Sequence, residues 1–412
     1  MARLDRYIVG LDIGTTKVCA VVAEAHDDGD LQIIGAGLAE SRGQKKGVVV
    51  DIERTVDAAK AAVEEAELMA GVSVDTAWIS ATGTHIRGIN SRGAITLEGR
   101  AREITEDDVR RVIDAASDLA LPPDFEAVHL LPQQFLVDGQ ENIVDPVGMT
   151  GNRLEVSLHL VVASVSALQN LVNCANKGGI EVQAVVLESL ASNEAVLSDD
   201  ERELGVALLD IGGGTTDLVC FQGGTVCHTA VFPVGGENFT NDLSVVLKTP
   251  LPDAEEIKTR HGAVLPELVP ADQSIEVAGI GGRAPTLVPR RQLCEILRPR
   301  AVEMLDLVRD ELRRAGFADE LHAGIVLTGG GALLEGLAEA AEQRFGLPVR
   351  VGVPEEITGL TDVVSGPVYS TAVGLALYGH RNRGEASRFE VRDPTFLRRV
   401  QGRVARWFGD LF

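Results

Sequence analysis

Short apolar runs, separated by glycine and acidic turns, open the chain and recur about two hundred residues later. Residues 6–40 contain three such runs, and residues 205–236 contain three more in the same layout. Runs of this length that are rich in β-branched residues and bounded by Gly and Asp are typical of strands. In each copy the first run ends in Asp-Ile-Gly, at Asp12 and Asp210. The pattern predicts an internal duplication in which two homologous α/β domains face each other.

Apolar residues spaced by three and four predict helices over residues 53–70 and 167–177. Between them, residues 85–162 carry their own strand patterns and one helical pattern. This predicts a small α+β subdomain inserted into the first half. Residues 240–310 predict a Pro- and charge-rich helical subdomain, and the polar, non-periodic residues 380–394 predict a flexible linker.

The end of the chain, FLRRVQGRVARWFGDLF, has the pattern of an amphipathic helix. At 100° per residue its apolar side chains fall within an arc of roughly 160°, and its arginines occupy the rest. Such a stripe commonly packs on the body of its own protein. The basic rim, the aromatic residues and the preceding linker favour a surface of anionic lipid instead. The membrane-contacting residues are expected to be Phe396, Leu397, Arg398, Arg399, Val400, Arg403, Val404, Arg406, Trp407, Phe408, Leu411 and Phe412.

Charge sharpens the contrast between this tail and the rest of the chain. The formal net charge is −23, yet residues 381–412 hold eight Arg against four acids, which gives 8 − 4 = +4 and leaves −27 on the remainder. A strongly acidic body repels a phosphate backbone, which argues against nucleic acid as a partner.

Five scattered cysteines without a C-x-x-C pair predict reduced thiols and neither a zinc site nor disulfides. No signal-peptide pattern and no apolar run of about 18 residues is seen, so we expect a cytosolic or peripheral protein.

Two glycine- and threonine-rich turns follow the apolar runs, in residues 11–17 and 209–217. Glycine lets a phosphate approach the backbone closely, and successive N–H groups and threonine hydroxyls can donate to its oxygens. The aspartates would repel phosphate, so their expected task is to hold a hydrated Mg²⁺ ion. Each turn alone would be interpreted as a tight hairpin with a solvated acid.

A third stretch, residues 324–337, runs from an apolar strand through three glycines towards a helix. Such a connection suits a flat adenine and its ribose packed against backbone. The three stretches, occurring in order within duplicated halves, predict a nucleotide site.

Together these motifs resemble the phosphate 1, phosphate 2 and adenosine motifs of the actin, Hsp70 and sugar-kinase superfamily. Residues 180–197 fit the first connecting helix of that superfamily, and residues 369–379 fit the second. More narrowly, residues 80–95 and 235–262 resemble the FtsA family of bacterial cell division proteins. The resemblance implies an actin-like fold of two duplicated ribonuclease-H-like domains, with an inserted α+β subdomain in the first and a C-terminal amphipathic helix.

The resemblance also implies ligand roles. The first turn would cradle the β- and γ-phosphates of ATP, and the second would grip them from the other domain. Asp12 and Asp210 would organise Mg²⁺ through water. Glu255 and Lys258 would lie near the ribose, although an exposed i, i+3 salt bridge explains them equally well. The implied ligand-binding residues are Asp12, Gly14, Thr15, Thr16, Lys17, Asp210, Gly212, Gly213, Gly214, Thr215, Thr216, Glu255, Lys258, Gly329, Gly330 and Gly331.

Hydrolysis would need a group that orients water against the γ-phosphate. Glu188 occupies a position where some superfamily members keep such an acid, but an ordinary acid at a helix N-terminus, favoured by the dipole, is the preferred interpretation. The resemblance implies weak ATPase activity at most, with the nucleotide acting as an assembly switch.

The family resemblance implies a protein that polymerises head to tail on the cytoplasmic face of the cell membrane at the division septum. It would tether FtsZ by the C-terminal peptide of FtsZ, docked on residues 240–310, and recruit later division proteins. The inserted subdomain would contact neighbouring subunits or those later proteins. The alternative is an ATP-binding scaffold of type IV pilus assembly of the PilM kind, which is not expected to end in a membrane helix. A small-molecule kinase lacks a convincing catalytic acid here, and an Hsp70 chaperone lacks a downstream domain.

These expectations divide the chain into eight segments. They are 1–84, domain I first part; 85–162, inserted subdomain; 163–203, domain I remainder with the first connecting helix; 204–239, domain II first part; 240–310, helical partner-binding subdomain; 311–379, domain II remainder with the adenosine motif and second connecting helix; 380–394, linker; and 395–412, membrane-targeting helix.

Overall fold

A computed structural model of the protein describes residues 6–26, 29–99 and 101–382. The predicted linker beyond Asn382 and the predicted membrane-targeting helix lie outside the described residues. The first two linker positions belong to a helix that ends at Arg381.

The strands of the described residues, in chain order, alternate with the helices. They are β1 Tyr7–Ile13, β2 Lys17–Ala25, β3 Leu31–Glu40, β4 Gln44–Lys45, β5 Val48–Val49, β6 Thr76–Ala81, β7 Ile86–Thr96, β8 Arg102–Glu103, β9 Phe125–Val137, β10 Gln140–Ile143, β11 Thr150–Gly151, β12 Arg153–Ser164, β13 Glu181–Leu187, β14 Val206–Ile211, β15 Thr216–Gln222, β16 Thr225–Phe232, β17 Ser274–Val277, β18 Thr286–Pro289, β19 Gly324–Thr328, β20 Val349–Val351 and β21 Thr358–Gly359.

The α-helices are α1 Ile52–Ala70, α2 Glu106–Ser117, α3 Val165–Lys177, α4 Glu188–Val196, α5 Asp199–Leu204, α6 Gly236–Leu247, α7 Leu251–His261, α8 Arg290–Ala315, α9 Leu337–Phe345, α10 Thr361–Val364 and α11 Ser370–Arg381. Short 3₁₀ turns occupy Pro266–Leu268, Ile280–Gly282, Gly330–Leu333 and Pro367–Tyr369.

Two sheets share one topology, which confirms the predicted duplication. The first runs β13-β6-β1-β2-β3, and the second runs β20-β19-β14-β15-β16. In both, the first three strands in sequence are antiparallel, and two later strands add in parallel beyond the first. Parallel strands with both faces covered are near-continuously apolar, and β14 is buried at every position. The first sheet also gains β21 from the C-terminal half, parallel to β3.

The inserted subdomain is a four-stranded antiparallel sheet, ordered β10-β9-β12-β7, with α2 against it. Helix α2 begins where the sequence permits a capping box, because the Thr105 hydroxyl accepts from Asp108 N–H while the Asp108 carboxylate accepts from Thr105 N–H. One set of apolar residues of the inserted subdomain forms a separate core between α2 and the sheet. A second set belongs to the core of the first domain: Ile86, Val128, Val161 and Ala163. The sheet therefore lies firmly on the first domain.

Helices α4 and α11 connect the two halves and pack against each other where Gly374 meets the carbonyl of Ala191. A side chain at Gly374 would collide with that carbonyl, so only glycine permits this approach. The second connecting helix lies where the sequence predicted it. The first is shorter than predicted, because residues 181–187 form the edge strand β13 and α4 begins only at Glu188.

The segment 240–310 is not purely helical. Helices α6 and α7 are followed by the hairpin of β17 and β18, and α8 continues beyond the segment to Ala315. Pro299 lies inside α8, and Gly316 ends that helix in the left-handed conformation. Strand β17 alternates between exposed and buried positions and β18 buries only Val288, and four residues per strand are too short a pattern for the sequence to distinguish from a loop.

Within the described part of the chain, no helix combines the length and the apolar character needed to cross a membrane. All five cysteines are free thiols, and four of them are buried.

A candidate nucleotide-binding cleft

The two predicted phosphate turns have the same backbone geometry. Gly14 N–H donates to the carbonyl of Lys17 at 2.9 Å, and Gly212 N–H donates to the carbonyl of Thr215 at 2.9 Å. Each turn joins the first two antiparallel strands of its sheet. The two halves therefore share not only their strand order but also the hydrogen bond that closes this turn.

The turns face each other across a narrow cleft between the two domains. A Cβ atom built on Gly213 would lie 2.5 Å from the Thr16 side chain, and one on Gly214 would lie 2.7 Å from Thr15 Oγ1. Contacts this short are not tolerated, so the glycines allow the two turns to approach. Thr15 is buried and Thr16 is exposed.

Asp12, at the end of β1, is 2% exposed, which excludes the solvated hairpin acid. Its Oδ2 accepts from Lys17 Nζ at 2.9 Å, and its Oδ1 accepts from Ser80 Oγ at 2.8 Å. Burial acts to lower the pKa of Lys17, but the Asp12 charge and its neighbours outweigh it and the pKa is raised. Lys17 is therefore a permanent cation at the cleft.

Asp210, the equivalent residue of the second domain, is also buried and accepts from Thr371 Oγ1 of α11 at 3.0 Å. Burial, followed by the charge of Asp12, raises the pKa of Asp210 to about 6. Gly329 lies directly against the Asp210 carboxylate and leaves no room for a side chain. The second connecting helix and the glycines 329–331 thus both contact this acid.

Asp217 is a further buried acid of the cleft to which the sequence analysis gave no role. Its Oδ2 accepts from Thr82 Oγ1 at 2.6 Å, across the boundary between the domains. Its Oδ1 is buried and has no hydrogen-bond partner among the described residues. Burial raises the pKa of Asp217 to about 8, with Asp210 and Asp12 acting in the same direction against the hydroxyls of Thr82 and Thr215.

Glu188 begins α4 and is 7% exposed. Burial raises its pKa well above the usual range, and the carboxylates of Asp217, Asp210 and Asp12 add to the effect. Its Oε1 lies 3.9 Å from the position a Cβ on Gly212 would take. The side chain therefore lies in the cleft beside the second phosphate turn, and Glu188 is also an acid at a helix N-terminus, as the sequence predicted.

Backbone bonds hold the second turn against α6. Gly236 N–H donates to the carbonyl of Gly212 at 2.9 Å, and Glu237 N–H donates to that of Gly213 at 2.8 Å. Both donors belong to the first turn of the helix, where N–H groups lack partners within the helix. The turn is thereby fixed to the helical subdomain.

The Glu255 and Lys258 pair is more than an exposed helical salt bridge. Lys258 Nζ donates to Glu255 Oε2 at 2.8 Å, to Thr240 Oγ1 at 2.9 Å and to the carbonyl of Gly236 at 3.1 Å. The Lys258 side chain is only 14% exposed. The pair lies behind the second turn and is connected to it through Gly236.

The side chain of one predicted nucleotide-binding residue, Thr216, does not lie in the cleft. The Thr216 hydroxyl is fully buried in the second domain, where it donates to the carbonyl of Val234 at 2.8 Å and contacts Met304 Sδ. Side chains alternate along a strand, and Thr216 is the first residue of β15. It therefore points away from Thr215 and Asp217, which face the cleft.

The three glycines 329–331 follow β19 as predicted, but they enter a 3₁₀ turn, Gly330–Leu333, before α9 begins. Gly329 has φ of +79°, which favours glycine. Gly331 packs directly on Ile211, the residue after Asp210. The glycines 329–331 thus lie against the end of β14, from which the second predicted phosphate turn begins.

These groups fit a magnesium nucleotide. Backbone N–H groups and hydroxyls of such turns can donate to phosphate oxygens, and carboxylates suit the hydrated, oxygen-bound Mg²⁺ ion. Among the described residues no cluster of three or more His, Cys, Asp or Glu is placed to ligate a metal directly. A water-mediated ion is the arrangement that the resemblance implies for Asp12 and Asp210.

The residues that sequence reasoning missed are Ser80, Thr82, Asp217 and Thr371. A signal existed for Ser80 and Thr82, because β6 runs parallel to β1 and the carboxyl ends of parallel neighbours meet at one sheet edge, and another existed for Asp217. Asp217 stands two residues after Thr215 and so shares its face. Thr371 reaches Asp210 across 161 residues, and no local pattern indicates such a contact.

Comparison with known proteins agrees with this architecture. The chain is 46% identical over 391 residues to the cell division protein FtsA of Pseudomonas aeruginosa, covering 95% of this chain and 93% of that protein. It is 41% identical to FtsA of Escherichia coli K12, covering 98% and 96%, and 39% identical to FtsA of Bacillus subtilis, covering 92% and 84%. The chain belongs to the FtsA family. The model of the cell division protein FtsA matches residues 207–374, and that of the SHS2 domain inserted in FtsA matches residues 83–162.

Solved structures share the fold at low identity. A PilM–PilN type IV pilus biogenesis complex matches with a TM-score of 0.65 at 18% identity, covering 90% of this chain and 98% of that chain. MreB5 of Spiroplasma citri bound to ADP matches with a TM-score of 0.55 at 16% identity, covering 92% and 98%. MreB5 bound to AMPPNP matches with a TM-score of 0.57 at 15% identity, covering 92% and 97%. These likenesses confirm the actin-like fold.

The raised pKa of Asp217 predicts how pH acts on the nucleotide-free protein. Between its usual value of 3.8 and about 8, this carboxyl binds more protons in the folded than in the unfolded state. The free energy of unfolding therefore falls as pH rises through that window. Asp217→Asn removes the effect, so in EDTA its stability relative to the wild type should increase from pH 5 to pH 8, by up to ~1.4 kcal/mol per pH unit.

Urea denaturation at each pH measures this difference. Asp319→Asn changes an exposed acid on a turn and serves as the control, with a difference that stays nearly constant. A stability difference for Asp217→Asn that is equally independent of pH would contradict the expectation.

Proposed function

We propose that this chain is an ATP-binding, actin-like cell division protein that polymerises at the cytoplasmic face of the cell membrane, tethers FtsZ filaments there and recruits later division proteins. The observation that carries the proposal is the pair of facing glycine turns around four buried acids, in a chain that belongs to the FtsA family. The related fold of MreB5 with ADP or AMPPNP supports ATP as the ligand.

In this proposal the two turns hold the β- and γ-phosphates, and Lys17 supplies positive charge beside them. Asp12 and Asp210 hold Mg²⁺ through water, which offsets their repulsion of phosphate. Gly329, Gly330 and Gly331 line the adenosine. Lys258 and Glu255 lie behind the second turn on the ribose side.

Glu188 is the proposed group for orienting water, with Asp217 beside it. A carboxyl group must be ionised to accept a proton from water, and the surroundings of Glu188 favour its neutral form. Hydrolysis is therefore proposed to be slow, and the bound nucleotide acts mainly as a switch for assembly.

The groove in the segment 240–310 is the proposed docking site for the FtsZ C-terminal peptide. It has a volume of about 460 Å³ and combines apolar with charged side chains. Val246, 53% exposed, lies on its α6 side, and Arg300 is held by Asp242 through bonds of 2.8 and 3.0 Å. A short peptide binds such a groove by burying apolar side chains between fixed charges. The lining residues are Asp242, Val246, Gln292, Glu295, Ile296, Pro299, Arg300 and Glu303.

The proposed membrane tether begins where the described chain ends. Thr371, the second residue of helix α11, donates to the Asp210 carboxylate, and the helix ends at Arg381, the second residue of the proposed linker. The tail would therefore leave the body at the far end of the helix that touches the cleft. A basic tail on an acidic body favours binding of the tail alone to anionic lipid.

The pilus-scaffold alternative rests on fold likeness at 18% identity. Identity of 39–46% over most of the chain to cell division proteins favours division.

The acidic cleft predicts that ATP binding depends on Mg²⁺. Replacing Mg²⁺ with EDTA should weaken binding of a fluorescent ATP analogue at least about tenfold, or ~1.4 kcal/mol, because the acids then repel the phosphates directly. In the double variant Asp12→Asn, Asp210→Asn the loss on removing Mg²⁺ should be much smaller. Glu256→Gln, an exposed acid on α7, is the control and should keep the wild-type dependence. Equal dependence in the double variant would refute the assigned roles.

The groove predicts that Val246→Glu weakens binding of the FtsZ C-terminal peptide at least tenfold, because a charge replaces apolar contact area. Since Val246 is exposed, the melting temperature should hardly change. Leu68→Glu, at an 86% exposed position on α1, is the matched control. Fluorescence anisotropy with labelled peptide measures both. If the wild type with ATP does not bind the peptide at all, that result would favour the pilus-scaffold alternative.

The tail predicts that the full chain co-sediments with anionic liposomes and that a chain truncated after Arg392 does not. Apolar insertion should dominate, since burying a large side chain contributes about 1.5–3 kcal/mol and each Arg about 1 kcal/mol. Trp407→Glu should therefore reduce partitioning more than Arg403→Gln, by at least tenfold against about fivefold. Equal sedimentation of the truncated and full chains would exclude the tether.

A further inference from the structure

One side chain of the inserted subdomain reaches the start of the helix that carries Glu188. His129 of β9 is 3% exposed, and its Nε2 accepts from the backbone N–H of Leu187 at 3.0 Å. Leu187 is 1% exposed and is the last residue of β13 and the N-cap of α4. The next residue is Glu188.

This bond replaces a cap that the local sequence cannot make. Leu187 has no side-chain oxygen, and α4 has no side-chain hydrogen bond at its N-cap. In a capping box the N3 side chain accepts from the N-cap N–H. Here N3 is Leu190, which has no acceptor. His129, from a different subdomain, takes that role.

A local irregularity places His129 for this contact. Along the pairing of β9 with β12, His129 lies opposite Val161 and Ala127 lies opposite Val162, so Val128 is an extra residue between them. Such bulges redirect side chains and occur often beside functional sites. Val128 itself packs in the core of the first domain. The bulge therefore docks β9 on the first domain and aims His129 at Leu187.

The second connecting helix meets the same place. The Tyr378 ring of α11 lies edge-on to His129, with ring centroids 6.4 Å apart, and also packs against Trp78 at 5.7 Å. Near the same end of α11, Arg381 forms an ion pair with Glu194 of α4. His129 thus lies where the inserted subdomain, the start of α4 and the end of α11 come together.

We propose that His129 is a positioning residue that couples the inserted subdomain to the nucleotide cleft by fixing the backbone from which Glu188 extends. The inference rests on the proposed nucleotide binding. A displacement of β9 changes the acceptor at Leu187 and hence the placement of Glu188. By linkage, a nucleotide that orders Glu188 stabilises the docked position of β9 to the same extent.

The test is hydrogen exchange of the full-length protein with and without Mg·ATP, in three variants. His129→Leu removes the acceptor at similar bulk, and His129→Gln keeps an acceptor at the position of Nε2. Gln134→Leu is the control, because Gln134 is also on β9 and accepts a backbone N–H, that of Asn142, within the subdomain itself. If His129→Leu does not fold, His129→Asn, whose amide is shorter, takes its place.

In the wild type, ATP should slow exchange in both 181–196 and 125–137. His129→Leu should accelerate exchange at Leu187 at least tenfold and abolish the ATP response of 125–137, whereas His129→Gln and Gln134→Leu should retain it. If the wild type binds no fluorescent ATP analogue, the proposed function fails and the inference falls with it. If it binds but 125–137 does not respond, or responds equally in His129→Leu, the inference alone is overturned.

Discussion

The burial of like charges in one cleft is the constraint on which the rest of the structure depends. Four acids are buried in this cleft: Asp12, Asp210, Asp217 and Glu188. Burial raises the pKa values of the last three, and Lys17 is the cation paired with Asp12. Burying unpaired carboxylates costs several kcal/mol each unless they are protonated or neutralised. The raised pKa values show the first response, and under the proposed function a magnesium ion would supply the second. A ligand that neutralises these acids would therefore stabilise the folded protein.

The fold brings these acids together by repeating the same strand, turn and strand in both domains. Each domain places an aspartate at the carboxyl end of its first strand and a glycine turn beyond it, and the antiparallel second strand returns past the same edge. Because the two domains face each other, the two hairpin turns lie side by side with their acids between them. The connecting helices maintain that geometry, because α4 and α11 approach at Gly374 closely enough to exclude any side chain.

Local pattern was sufficient for the duplication, the inserted sheet, the two turns and the second connecting helix, because each is encoded in a contiguous run of residues. It was insufficient where the outcome depends on distant neighbours. Residues 181–187 form an edge strand because β6 is available beside them, although their apolar spacing also fits a helix. Thr216 was misplaced for a local reason, since the alternation of strand side chains already separates it from Thr215 and Asp217. His129 and Thr371 act across domains, and no spacing within one segment reveals them.

The path from the cleft to the start of the proposed linker is short and rigid. Helix α11 has 12 residues, hence a length of roughly 18 Å, and runs without a break from Thr371 at Asp210 to Arg381 in the proposed linker. A helix packed on one side against β1 and on the other against α4 moves as a unit, since its core residues Ala372, Leu375 and Ala376 are fully buried. A change in the ionisation of Asp210, or its ligation as the proposed function has it, would therefore act at the first turn of a helix whose last turn reaches the proposed linker. Under the proposed function, this arrangement lets nucleotide state and membrane attachment act on the same element without any contact between ATP and lipid.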